Sequence, residues 1–169
     1  SADGRQDYRL RALTRSPVYR QPLDAGSDAW LGERWKALTS GAEARGGSIQ
    51  IEGRRIGVRG RGHGVAWFDS SELCEGPRST DDYIEIAREF GIVLLGGVPT
   101  FDAGNEDAAR RFVNLVDEFY DRQVTLVCTA AAPAVALYHG TRLAGAFERT
   151  ASRLIEMQSA EYMARTHRG

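Results

Sequence analysis

The sequence predicts an α/β fold: a small antiparallel β-ribbon, then a βαβ unit with parallel strands at about 92–98 and 124–129 covered by helices, then a long C-terminal helix. Three observations predict it. Ile92-Val93-Leu94-Leu95 and Val124-Thr125-Leu126-Val127-Cys128 are apolar runs without polar alternation, as in strands covered on both faces. Between them Ala109, Phe112, Val113, Val116 and Phe119 recur at helical spacing, and strand, helix and strand in that order form a right-handed crossover. Upstream, Ile49, Ile51, Ile56, Val58, Val65 and Trp67 alternate with polar or glycine positions around a turn at Glu52-Gly53-Arg54, the pattern of a ribbon.

The remaining elements follow in order. Asp7 to Leu13 alternates well enough for a short strand, ended by Pro17 and Pro22. Trp30, Leu31, Trp35 and Leu38 have helical spacing, with Asp24 or Ser27 as a cap and Gly41 as a stop. Ser79 with Asp82 resembles a capping box opening a helix through Tyr83, Ile84, Ile86, Ala87 and Phe90. After Pro133 a short helical turn spans Val135 to Tyr138. The C-terminal helix starts near Leu143, with Phe147, Leu154, Ile155, Met157 and Tyr162 expected on its apolar side.

Composition narrows the function classes. The 169 residues carry a formal net charge of −1, so no global field selects nucleic acid or an anionic membrane. Arg54, Arg55, Arg59 and Arg61 are clustered, but no aromatic stacking platform accompanies them, which argues against a nucleic-acid module. No apolar run approaches the roughly 20 residues of a transmembrane helix. Cys74 and Cys128 are too far apart in sequence for a CxxC pair and sit in apolar stretches, as buried reduced thiols do.

Motifs that carry chemistry are mostly missing from the sequence. Arg59-Gly60-Arg61-Gly62-His63-Gly64 superficially resembles a phosphate cradle. Such a loop needs a lysine followed by Ser or Thr at a helix N-terminus, whereas here a strand follows and the chain's one lysine is Lys36. A Walker B strand ends in an acidic pair, and Ile92 to Leu95 is followed by Gly96-Gly97. Asp117-Glu118 lies within a helix and reads as a solvated face. His63, His139 and His167 have no metal-ligand spacing, and neither cysteine has a histidine close by in sequence. Arg149 and Arg153, four apart on one helix, offer two planar donor forks suited to a phosphate; the structural alternative is pairing with an acid of the same or a neighbouring helix.

Three segments carry a resemblance: Leu73-Cys74-Glu75-Gly76-Pro77-Arg78-Ser79 with Asp82-Tyr83-Ile84; Arg110-Arg111-Phe112-Val113-Asn114-Leu115-Val116-Asp117-Glu118-Phe119-Tyr120-Asp121-Arg122; and Arg149 to Ser159. Together with Asp7-Tyr8-Arg9-Leu10-Arg11 they resemble, in one order over nearly the whole chain, the C-terminal half of the ZapE family of AAA+ ATPases, whose mitochondrial members are called AFG-like ATPases. Gly96-Gly97 and Ala130-Ala131-Ala132 depart from the family pattern without touching those motifs.

The resemblance implies that Walker A, Walker B and sensor elements precede residue 1 in the natural protein. Residues 1–22 are then the end of the AAA+ core and a linker, and residues 23–169 the C-terminal α/β domain. It implies ATP and Mg2+ as cofactors of the full-length protein, and none for this fragment, which should be inactive alone. Arg149 and Arg153 become candidate sensor or finger arginines, and Arg9 and Arg11 weaker candidates for nucleotide contact. The implied partners are the upstream core, neighbouring subunits, and a protein client or division protein. The implied location is the bacterial cytoplasm, reaching the membrane at the division site through partners. The competing reading is a non-enzymatic docking domain that recruits such a client.

Overall fold

The computed structural model describes Leu13 and residues 17–166, so Arg9, Arg11 and the rest of the strand expected at 7–13 lie outside the described residues, and Leu13 itself is helical rather than extended. Elements run β1 (Tyr19–Arg20), α1 (Ser27–Leu38), β2 (Gly47–Ile51), β3 (Arg54–Val58), β4 (Gly60–Arg61), β5 (Val65–Asp69), α2 (Ser70–Cys74), α3 (Thr80–Glu89), β6 (Ile92–Val98), α4 (Glu106–Asp121), β7 (Thr125–Ala130), α5 (Ala144–Glu156) and α6 (Ala160–Thr166). Short 3-10 turns at Ala103–Asn105 and Ala134–Ala136 join the later elements.

The main sheet has the order β1-β7-β6-β5-β4. The strands β5, β6, β7 and β1 are parallel, and β4 closes the edge antiparallel, with Gly60 opposite Trp67. The expected βαβ unit is therefore present and extended on both sides. β5 departs from the expected ribbon: Val65 and Trp67 belong to the main sheet, because the flanking Ala66 and Phe68 are apolar too and all four are buried. The ribbon itself is β2 and β3, with Ile49 opposite Ile56. Its turn places Glu52 and Gly53 at φ 51° and 75°, the two positive angles that a two-residue hairpin turn of type I′ requires.

Strand alternation sends side chains to two cores. Ala66, Phe68, Val93, Leu95, Leu126 and Cys128 pack under α3, α4 and α5, against Tyr83, Phe112, Phe119 and Leu154, with Ile49, Ile51, Ile56 and Val58 of the ribbon extending that layer. Val65, Trp67, Ile92, Leu94 and Val127 face α1, where Leu31, Trp35 and Leu38 cover them beside Leu13, Val18 and Met163. Each fully buried aromatic or aliphatic side chain contributes about 1.5–3 kcal/mol. At Gly60 the packing is close enough that a Cβ would fall 2.8 Å from the Trp35 ring.

The C-terminal helix is interrupted. α5 stops at Glu156, Met157 turns into the core, and α6 restarts after Ser159, whose hydroxyl accepts the Tyr162 backbone N–H (3.1 Å). A serine hydroxyl satisfying a first-turn amide is a helix start signal, and here it overrides continuation of the helix. Among the described residues no helix is long and apolar enough to cross a membrane.

Candidate functional site

The C-terminal arginines diverge in environment. Arg153 is half-buried and donates to Asp117 of α4, with its guanidinium 5.0 Å from the Tyr120 ring centroid. Asp117 is thus one end of an interhelical pair, where the sequence suggested a solvated face; Glu118 keeps the local role, accepting from Arg122 at 3.2 Å. The reason is geometric: α4 and α5 pack side by side on the sheet, and position 117 faces the seam. Arg149 is exposed and makes no ion pair or hydrogen bond among the described residues.

Around Arg153 the two C-terminal motifs interlock. The Tyr120 hydroxyl donates to Glu156 Oε2 (2.5 Å), Arg165 of α6 lies 3.4 Å from the same oxygen, and Tyr120 stacks on Tyr162. The buried Tyr162 hydroxyl donates to the Val124 carbonyl (2.6 Å), tying α6 to the start of β7. The hydrogen bond from Tyr120 pushes no charge apart: Glu156 raises the Tyr120 pKa, so that phenol stays a donor at neutral pH.

The 73–84 motif is similarly structural. Tyr83 donates to the Leu73 carbonyl (2.6 Å), Arg78 Nε to the Glu72 carbonyl (2.7 Å), and Arg111 of α4 to the Cys74 carbonyl (3.3 Å). Asp82 is fully buried, accepts the Ser79 N–H (2.7 Å) as the capping box anticipated, and faces Arg54 at 3.3 Å.

In the glycine-rich loop, Arg59 bridges Asp28 (2.8 Å) and Asp69 (3.2 Å) and lies 4.5 Å over the Trp67 ring. Its hydrogen bond to Asp28 raises the arginine pKa and lowers that of Asp28. Arg61 pairs with Glu89 (2.9 Å) and lies over Phe90. Both guanidiniums hold the fold's own acids and aromatics.

Three concavities stand out among the described residues, one of them, of about 340 Å³, beside β1 between Tyr19, Arg20, Trp30 and Pro133. A second, also of about 340 Å³, opens at the C-terminal ends of β5 and β6, where open α/β sheets commonly bind ligands. It is lined by Asp69, Ser70, Ser71, Glu75, Gly96 and Gly97, and β6 bulges there with Gly97 at φ 77°. Asp69 there is already paired with Arg59, and the remaining carboxylate of the lining, Glu75, opposes a phosphate. The third, of about 290 Å³, is an apolar groove between residues 134–140 and α5, flanked by Val135 and Ile155. Ile155 is 53% exposed, against the expectation that it joins the apolar side of the helix. The buried residues Phe147 and Leu154 share one face, and position 155 lies 100° beyond 154. The sequence signal for this groove was the spacing of Ala144, Glu148, Ala151, Ser152 and Ile155, a second stripe along α5.

Cys74 and Cys128 are buried free thiols, pushed up to about 12 by burial and so inert as nucleophiles at neutral pH. Among the described residues no group of three or more His, Cys, Asp or Glu could hold a metal ion.

Known proteins resemble the chain over nearly its whole length. The chain is 39% identical over 167 residues to the cell division protein ZapE of Escherichia coli (strain K12), covering 99% of this chain and 44% of that protein. It is 32% identical over 146 residues to lactation elevated protein 1 homolog B of Danio rerio, covering 68% of this chain and 29% of the relative. It therefore spans less than half the length of these relatives. No solved structure matches it. The family described as AFG1-like ATPase matches residues 1–166, and on that match and the ZapE similarity the chain belongs to that family.

Proposed function

We propose that this chain is the C-terminal module of a ZapE-like AAA+ ATPase: residues 1–22 end the upstream core and linker, and residues 23–169 form the C-terminal domain. ATP and Mg2+ are then cofactors of the full-length protein, in work linked to cell division or protein quality control. The observation that carries the reading is the separation of the two candidate arginines, one locked to Asp117 and one free in solvent. Arg153 positions α5 on α4. Arg149 is the sensor or finger candidate, reaching toward a neighbouring subunit or the upstream core.

The residues present do not fit ATP as a site of their own. The glycine-rich loop uses its arginines internally, and the strand-end mouth has no cationic side chain in its lining. Titration calorimetry of the chain with a slowly hydrolysed ATP analogue and Mg2+, alongside a hydrolysis assay, tests this. Neither binding nor turnover is the expected result, and turnover would overturn the reading.

The apolar groove favours a second reading, a docking domain that recruits a division protein or client. Deleting the domain from the full-length protein should then abolish partner capture and leave basal hydrolysis intact.

A further inference from the structure

We propose that the groove between residues 134–140 and α5 binds a short segment of a partner protein, which inserts a large apolar side chain between Val135 and Ile155 and sets a lysine or arginine against Glu148. This deepens the docking reading and rests on it.

The exposed apolar surface is concentrated at this place. Among the described residues the exposed large hydrophobics are Leu23, Val135 and Ile155, and the latter two, 75% and 53% exposed, flank one groove. Exposed apolar side chains scattered singly need no explanation, whereas Val135 and Ile155 line the same groove and offer apolar surface to one incoming side chain. The floor is small: Gly140, Ala144 and Ala151 leave the space that an incoming side chain would fill. A Cβ at Gly140 would run into the Tyr138 hydroxyl, so this position is held to its size.

The walls are preorganised. Tyr138 stacks on Phe147 with centroids 5.0 Å apart, its hydroxyl donates to Glu106 Oε1 (2.7 Å) and accepts the Leu143 N–H (2.9 Å). A wall fixed before binding loses little freedom on binding, which favours a specific contact.

Charge selects the occupant. Glu148 is the one charged residue of the lining, and it is exposed with no ion pair or hydrogen bond among the described residues. A groove that is apolar with a single unpaired carboxylate is complementary to an apolar side chain accompanied by a cation, and repels an acidic segment. The concavity is open and near the lower end of the roughly 300–1,000 Å³ of small-molecule pockets, so a side chain presented by a peptide fits it better than a cofactor.

The test uses two fluorescent synthetic peptides with identical leucine positions, one carrying lysines and the other glutamates, titrated into this chain by anisotropy. The lysine peptide should bind about fivefold tighter than the glutamate peptide, and Glu148→Lys should reverse that order. Ile155→Asp should weaken binding about tenfold with an unchanged melting curve, because Ile155 is exposed. Equal binding of both peptides, no binding of either, or indifference to both substitutions would overturn the proposal. Sedimentation showing self-association that Ile155→Asp removes would overturn it in favour of a second copy as occupant. Binding by this chain that is lost in the full-length protein would overturn it in favour of the upstream core. The docking reading fails separately: if domain deletion leaves partner capture intact, that reading falls whatever the peptides do, whereas peptide failure with capture abolished by deletion removes the groove alone.

Discussion

Arg153 of α5 donates to Asp117 of α4 while its guanidinium lies over Tyr120, one turn further along α4. The two family motifs are thereby a single interhelical joint, and the arginine that looked like a phosphate ligand has its partner inside the chain. The neighbouring Arg149 has none among the described residues.

That contrast separates the two arginines in a denaturation experiment. Arg153→Ala removes a pair whose side chains are 26% and 29% exposed, together with its aromatic contact, and should cost about 1–2 kcal/mol. Arg149→Ala should change stability by less than about 0.5 kcal/mol. Urea unfolding of both variants checks this, and equal losses would contradict the joint.

In the full-length protein the ordering of effects should invert. Arg149→Ala is expected to lower ATP turnover at least about tenfold without loss of folding, as removal of an arginine that reaches the transferring phosphate does. Steady-state hydrolysis beside a melting curve measures it; an unchanged rate removes the finger role.

The thiols set an alkaline limit. Burial holds Cys74 and Cys128 up to about 12 in the folded chain, whereas an unfolded thiol ionises near 8.5. Above that pH the unfolded state binds fewer protons than the folded one, so stability is full below about pH 8 and falls as pH rises, by about 1.4 kcal/mol per pH unit for each thiol. Urea midpoints between pH 7 and 10 should show this decline, and Cys128→Ala should make it shallower.

Gly60→Ala should destabilise by about 1–3 kcal/mol, because its Cβ would meet the Trp35 ring at 2.8 Å in a packed core. Trp35 stands 6.0 Å from Trp67, so tryptophan fluorescence should shift in the same variant. A variant with unaltered stability and emission would contradict the packing.

Much of the fold was legible where one physical rule acts alone. Ile92 to Leu95 and Val124 to Cys128 announced doubly covered strands, and Ser79 with Asp82 announced a helix start. Legibility failed where distant residues decide. Trp67 alternates like a ribbon residue, yet its partners are Leu94 beside it and Trp35 above it. Ile155 reads as core by type and is turned outward by the helical step. The site suffered most, since the choice between a phosphate and Asp117 for Arg153 depends on the seam between two helices that neither helix's own sequence reveals.

The entering strand has a mechanical meaning. Val18 accepts the Cys128 N–H (2.8 Å), Tyr19 pairs beside it, and the Tyr19 hydroxyl reaches past the end of β7 to the Ala132 carbonyl (2.6 Å). The incoming polypeptide is thus fastened along β7 and at the residue before Pro133, where the groove's Val135 rim begins. A tug on the chain ahead of Pro17 would load these bonds in shear, along β7 and at Ala132, three residues before Val135.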